Sequence, residues 1–228
     1  MRVRVELTPD PGAPRVRDWA GVAIDVLRAT TTLTFARLHG ARRVIPAVTI
    51  DEARALRRRE PDALLCGERD GRRIEGFDLG NSPAEYRQER VEGRTLVFAS
   101  TNGSVALRAL AGCRPCWLGA FVSATALVEA LCGRPRVRLV CAGKLGGFAL
   151  EDAALAGWLA LRLEERGARL EGSAARFVRP LAPRDAGEVR ALVQGAEHGR
   201  YLRGLGPEYA ADVEVCAGLD TLDRAFEA

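Results

Sequence analysis

The sequence predicts an α/β fold, a mostly parallel sheet covered by helices on both faces. Three observations predict it. Apolar strand-like runs alternate with helix-like stretches along most of the 228 residues. Helix boundaries carry recognisable signals: Thr49-Ile50-Asp51-Glu52 is a capping box, Pro83 suits a first helical turn, and Gly40 suits a helix end. Four of the strand-to-helix junctions are rich in polar residues that packing does not require.

In order, "RVRVEL" and "WAGVAIDV" read as strands, and "TTTLTFARLHG" as a short helix. "RRVIPAV" is a strand, "DEARALRRRE" a helix and "ALLCGE" a strand. A loop runs from Gly67 to Gly80, and Asn81-Ser82-Pro83 opens a helix. "TLVFAS" is a strand and "NGSVALRALAG" a helix. The strands "PCWLGAF" and "VRLVCAG" flank the helix "SATALVEALCG", and "LEDAALAGWLALRLEERG" is the longest helix. Beyond about Gly172 the pattern is shorter and more helical. No low-complexity linker interrupts the chain, so residues 1–228 are expected to form one domain. "TTTLTFARLHGARRVIPAV" from Thr30 can be laid on "NGSVALRALAGCRPCWLGAF" from Asn102, an offset of 72. Either any two βαβ units look this similar, or a duplication places both junctions in one pseudo-symmetric site.

Composition narrows the function classes. Hydrophobic residues make up 47% and charged residues 28% of the chain, and the net charge is +4. That charge is no argument for nucleic acid. No run reaches the roughly 20 apolar residues of a membrane span, and the N-terminus lacks a signal-peptide core. A cytoplasmic protein with reduced cysteines is expected. Cys113-Arg-Pro-Cys116 has no second pair beside it, and the chain contains only His39 and His198. Zinc and redox roles are therefore disfavoured.

The polar junctions are "DVLRATTT" (25–32), "CGERDGRRIEGFDLGNSP" (66–83), "ASTNGS" (99–104) and "CAGKLGGFALED" (141–152). In an open α/β sheet such positions gather at the carboxyl ends of the strands, where ligands bind. Hydroxyls, Asn102 and glycine-rich backbone at helix starts donate to anions. Arg28 and Arg69 offer forked donors for oxyanions. Asp25, Glu68, Asp78, Glu151 and Asp152 stand against them. Anion donors mixed with several acids suggest Mg²⁺ bridging carboxylates and a phosphate. Each piece also has a plain reading: an Asp25–Arg28 ion pair, threonine caps, an Asn102-Gly103 turn, and acids at a helix dipole.

The same stretches carry a resemblance. "DVLRATTT", "GERDGRRIEGFDLGNSPAEY", "STNGS" and "CAGKLGGFALEDAALAG", in this order, closely resemble the 2-phosphosulfolactate phosphatase family, and the similarity extends into "HGRYLRGLGPEYAADVEVCAGLD". The resemblance implies a three-layer α/β/α fold. It also implies Mg²⁺-dependent hydrolysis of 2-phospho-3-sulfolactate to 3-sulfolactate and phosphate, a step that serves coenzyme M synthesis in some organisms. Ser104 stands where the family usually has Thr, and Ser123 where it favours Asn after Phe121-Val122.

The expected ligand is thus a small anionic phosphorylated substrate, with no nucleic acid or membrane partner and a homodimer left open. Asp25, Arg28 and Asp152 are the candidate catalytic residues. Thr30, Thr31, Thr32, Arg69, Asn81, Ser82, Asn102, Gly103 and Ser104 are candidates for substrate binding. Asp25, Glu68, Glu151 and Asp152 are candidate metal ligands; Asp152 is favoured over Glu151, which is read as a second ligand or a partner of Lys144. A metal-activated water and a phospho-aspartate both remain open. Leu27 occupies the second acid position of the D-x-D pattern of haloacid-dehalogenase phosphatases. The alternatives are a phosphomonoesterase for another hydroxy acid and a non-catalytic binder of a small anionic metabolite.

Overall fold

A computed structural model describes residues 1–10 and 17–228. It has the expected three-layer α/β/α architecture with mostly parallel strands, and it divides those strands between two sheets. β1 (Arg2–Glu6), β2 (Ala20–Ile24), β7 (Cys116–Gly119), β8 (Arg136–Cys141) and β9 (Arg169–Glu171) form a parallel sheet in the order β7-β2-β8-β1-β9. β3 (Arg43–Ala47), β4 (Leu64–Arg69) and β6 (Thr95–Ala99) run parallel in a second sheet of order β3-β6-β4-β5, where β5 (Arg72–Arg73) is a short antiparallel edge.

Two helices pass between the sheets. α1 (Ala29–Leu38) leads from β2 to β3, and α4 (Gly103–Ala109) leads back from β6 to β7. These are the two segments of the internal echo. Both are largely buried, in an apolar layer that joins Ala23, Leu118 and Val140 of the first sheet to Leu96 and Phe98 of the second. Alternate β2 residues serve opposite faces: Ala23 belongs to this layer, and Val22 and Ile24 to the larger core on the other side. That core packs α5 (Ala124–Leu131) and α6 (Leu150–Glu165) against the first sheet. Four further helices extend it: α7 (Gly172–Val178), α8 (Ala186–Gly195), α9 (Glu197–Leu205) and α10 (Pro207–Cys216). α2 (Ile50–Arg59) covers the outer face of the second sheet through Ala53.

The capping box forms: Thr49 Oγ1 accepts from the Glu52 amide at 3.1 Å, and Glu52 Oε2 accepts from the Val48 amide at 2.8 Å. The helix expected at Asn81 is only a 3-10 turn, Pro83–Glu85, before the short α3 (Gln88–Val91). Tyr86 ends that turn; its ring is fully buried and its hydroxyl donates to the Gly80 carbonyl at 2.7 Å, which ties the segment down. Among the described residues no helix is long and apolar enough to cross a membrane. All six cysteines are free thiols.

Candidate active site

The carboxyl ends of β2, β4, β6 and β8 open onto one cavity of about 260 Å³. Each of the four polar junctions reaches its wall. Asp25, Leu27 and Arg28 follow β2; Glu68, Asp70, Gly71 and Asn81 come from the second junction. Thr101 and Asn102 follow β6, and Lys144 and Leu145 follow β8. α9 closes the remaining side with His198, Tyr201 and Leu202.

Asp25 sits at the centre of the charge. Its Oδ1 accepts from the Ala29 amide at 3.3 Å. Burial pushes its carboxyl up to about 6; His198 opposes this, and the nearby Glu68 and Glu151 add to it. Gly103 explains how the two inner helices meet here. A Cβ on it would lie 2.4 Å from Ala29 Cβ and 2.6 Å from Asp25 Oδ2, so only glycine lets α4 approach α1 this closely. Glu68 is braced from both sides: Oε1 accepts from the Thr101 amide at 2.8 Å and Oε2 from the Gly71 amide at 2.9 Å.

Arg28 is buried, with Nη1 2.5 Å from Asp212 Oδ2 and Nη2 donating to the Gly71 carbonyl at 2.5 Å. Its guanidinium also lies over the Tyr209 ring, 5.2 Å from the centroid. The ion pair considered with Asp25 is thus made with Asp212 of α10. Ser82 Oγ donates to the other Asp212 oxygen at 2.6 Å, so Ser82 positions the partner of Arg28 and is not on the cavity wall. Asn81 is on that wall; its Oδ1 is buried and has no hydrogen-bond partner. Asn102 Oδ1 accepts from the Leu145 amide at 3.0 Å and fixes the loop after β8.

Several expected ligand-binding side chains face the protein instead. Thr30, Thr31 and Thr32 are fully buried. Thr30 Oγ1 donates to the Gly119 carbonyl at 2.6 Å, Thr31 Oγ1 to Val26 at 3.0 Å and Thr32 Oγ1 to Asn81 at 2.9 Å. A helix start squeezed between two sheets must satisfy its polar atoms internally, and the threonine run does so. Ser104 Oγ likewise donates to the Phe98 carbonyl at 3.0 Å. Arg69 turns from the cavity and donates to the carbonyls of Glu68 and Val48 at 2.7 and 2.8 Å. Ser123 is fully buried and off the cavity wall, and its hydroxyl has no partner.

Glu151 and Asp152 are both buried in the first turn of α6, and neither is on the wall of this cavity. Asp152 Oδ1 accepts from the Val26 amide at 2.9 Å and Oδ2 from the Gly143 amide at 3.0 Å. It therefore clasps the junctions after β2 and β8 together. Burial pushes its carboxyl well up, with Asp25 and Glu151 adding to this and the two amides opposing it. Glu151 Oε1 lies 3.6 Å from His198 Nδ1, and Lys144 pairs with Glu197, not with Glu151. The clasp sets the outcome expected for Asp152→Asn. One oxygen becomes an amide NH₂ facing an N–H donor, so the variant should lose about 1–3 kcal/mol of stability despite its conserved volume. Urea unfolding at pH 7.5 measures this, and an unchanged midpoint would remove the clasp from the account.

His198, Tyr201, Tyr209 and Asp212 were not singled out as individual site residues from the sequence. The signal was confined to the stretch "HGRYLRGLGPEYAADVEVCAGLD", whose spacing alone reads as ordinary surface helix.

Hard oxygen donors dominate the cavity. Among the described residues no three His, Cys, Asp or Glu side chains form a metal-holding group by themselves. Mg²⁺ does not require one, because it commonly takes one or two protein carboxylates and completes its shell with water and phosphate oxygens. Asp25, Glu68 and the unpartnered Asn81 Oδ1 fit that demand. Cys66 and Cys141 do not alter it: burial pushes both thiols up, away from the thiolate a zinc site needs.

Parallel strand ends meeting at one polar cavity define the class, an open-sheet α/β enzyme with its ligand site at the strand carboxyl ends. The model of the 2-phosphosulpholactate phosphatase family matches residues 7–227, and the chain belongs to that family of phosphoric monoester hydrolases. Similar proteins include a probable 2-phosphosulfolactate phosphatase of Thermotoga petrophila, 37% identical over 216 residues that cover 95% of this chain and 91% of the relative. One from Carboxydothermus hydrogenoformans is 37% identical over 224 residues, 98% of this chain and 91% of the relative. Another, from Synechococcus sp. (strain WH7803), is 39% identical over 207 residues, 89% and 84% of the two chains.

Proposed function

We propose that the chain hydrolyses 2-phospho-3-sulfolactate to 3-sulfolactate and phosphate with Mg²⁺ as its metal. The observation that carries this is the small cavity at the strand ends, whose wall combines the acids Asp25 and Glu68 with the cations Arg28 and Lys144. Its volume of about 260 Å³ suits a compact ligand; drug-sized ligands take roughly 300–1,000 Å³. A phosphoester dianion with a carboxylate and a sulfonate carries about four negative charges. Such a ligand needs cations from the protein and a further one beside the acids.

Asp25 and Glu68 would hold Mg²⁺, with Asn81 Oδ1 as a neutral donor. The metal supplies Lewis-acid stabilisation of charge on the phosphoryl oxygens and offsets the mutual repulsion of the acids. Arg28, held rigid by Asp212 and Gly71, presents its remaining N–H groups to a substrate oxyanion. The Leu145 amide, held by Asn102, fixes the loop that carries Lys144. Leu27, Leu202 and the Tyr201 ring limit water around the ester. The reaction is placed in the cytoplasm and, where that pathway operates, in the supply of 3-sulfolactate for coenzyme M.

Phosphate release across phosphorylated hydroxy acids tests the assignment. Activity should vanish with EDTA and return with Mg²⁺; full activity in thoroughly metal-free enzyme would end the metal proposal. A saturable ligand without phosphate release would identify a binder, and a preference for esters lacking the sulfonate would identify a different phosphomonoesterase.

The acids also predict a pH signature. Asp25 is raised from an ordinary 3.8 to about 6 in the folded chain. A raised carboxyl contributes stability that is complete below its unfolded value and is lost as pH rises through its folded one. The metal-free protein should therefore lose about 3 kcal/mol from this group between pH 4 and pH 7. Mg²⁺ should raise the melting temperature at pH 7.5 and have much less effect at pH 4.5, below the value of about 6 at which Asp25 takes up its proton. An equal Mg²⁺ shift at both pH values in thermal melts would sink the link between the acids and the metal.

A further inference from the structure

The two cations on the cavity wall differ in how firmly they are held. The Arg28 and Asp212 side chains are 3% and 4% exposed, and a second Arg28 nitrogen is bound to a carbonyl. Breaking a buried pair leaves an uncompensated charge, so Arg28 stays where it is. Lys144 is the only lysine of the chain, and its Nζ lies 2.8 Å from Glu197 Oε1. That Glu197 side chain is 81% exposed. An exposed pair contributes about 0–1 kcal/mol, so a ligand anion can take the ammonium from it at little cost. Lys144 Nζ also sits 5.5 Å from the centroid of the Tyr201 ring, itself on the cavity wall, which keeps the ammonium at the mouth of the site.

We propose that Lys144 is a specificity-determining residue: its ammonium leaves Glu197 and pairs with the sulfonate of the bound ligand. The choice among anionic groups follows from the donors available. A guanidinium fork matches the planar carboxylate and the metal takes the phosphoryl oxygens, which leaves the sulfonate to the lysine ammonium, a point charge on a flexible stem. The inference takes its ligand from the phosphatase reading above. The remote anion is thereby assigned to one side chain on the loop after β8, with Glu197 as its resting partner.

Titration calorimetry on the Mg²⁺-supplemented protein tests it without depending on turnover. The probes are 3-sulfolactate and lactate, which share the carboxylate and differ in the sulfonate. The unmodified chain should bind 3-sulfolactate more tightly than lactate. Lys144→Ala should weaken 3-sulfolactate about 10- to 150-fold and lactate far less. Lys144→Gln keeps the stem against Tyr201 and should show the same selective loss, and Lys144→Arg should recover part of it. Glu197→Gln should tighten 3-sulfolactate binding a few-fold. Equal weakening of both ligands, no sulfonate preference in the unmodified chain, or a Glu197→Gln loss as large as that of Lys144→Ala would each overturn the inference. Selective binding through Lys144 without phosphate release from the phosphoester would retire the phosphatase reading alone. Phosphate release with unselective losses would retire the Lys144 assignment alone.

Discussion

Asp25→Asn should lose at least about 10³-fold in kcat/KM and melt no lower than the unmodified protein at pH 7.5. The two effects have one origin. Asp25 is 6% exposed, and burial together with Glu68 and Glu151 disfavours its charged form. At neutral pH the metal-free protein tolerates this carboxylate at a cost of about 3 kcal/mol. Asparagine has nearly the same shape, keeps an oxygen for the Ala29 amide and removes the charge. Stability should therefore hold or rise while the charge needed beside the phosphoryl group is lost. The Mg²⁺-dependent rise in melting temperature should disappear in the same variant. A lower melting temperature with kcat/KM kept within about 3-fold would make Asp25 a structural acid and leave Glu68 as the wall's main metal candidate. Steady-state phosphate release and thermal melts with and without Mg²⁺ decide between them.

Much of this site was legible because chemistry at strand ends is local in sequence. Asp25, Glu68, Asn102 and Lys144 all sit within three residues of a strand's last residue, and parallel topology brings such ends together. What could not be read was which atoms already had partners. Thr30, Thr31 and Thr32 look like anion donors when only residue types are visible. They bond to Gly119, Val26 and Asn81 because α1 lies between two sheets and has no water to bond to. That placement was itself hidden. A βα unit reads the same whether its helix returns to its own sheet or crosses to another, so the split into two sheets left no mark in the periodicity. The internal echo was its one trace, since its two segments are the two crossings. The C-terminal helices were the other blind spot. His198, Tyr201 and Asp212 come to the site by tertiary packing, more than 180 residues in sequence from Arg2 and the first strand and far from the junctions they complete.

Arg28 shows how a structural pair and a functional donor can be told apart. Arg28→Ala removes the one ion-pair partner that the buried Asp212 has among the described residues, and a donor to the Gly71 carbonyl. A loss of about 3–5 kcal/mol in stability is expected, because Asp212 is left buried and uncompensated. A loss of about 30- to 1000-fold in kcat/KM is expected as well, from the missing forked donor to a substrate oxyanion. Either loss alone could be explained by the other. The double variant Arg28→Ala/Asp212→Asn separates them: it removes the stranded charge while leaving an acceptor for Ser82. Its stability should return to within about 1–2 kcal/mol of the unmodified protein. Its kcat/KM should stay as low as that of Arg28→Ala. Arg28→Lys should keep a positive charge near Asp212 and recover stability more than rate, because one ammonium cannot reach Asp212, the Gly71 carbonyl and a ligand in the guanidinium's geometry. Recovery of rate in step with stability in the double variant would show that Arg28 serves only to hold α10 over the site, and the oxyanion would then fall to Lys144 and the backbone of the junctions.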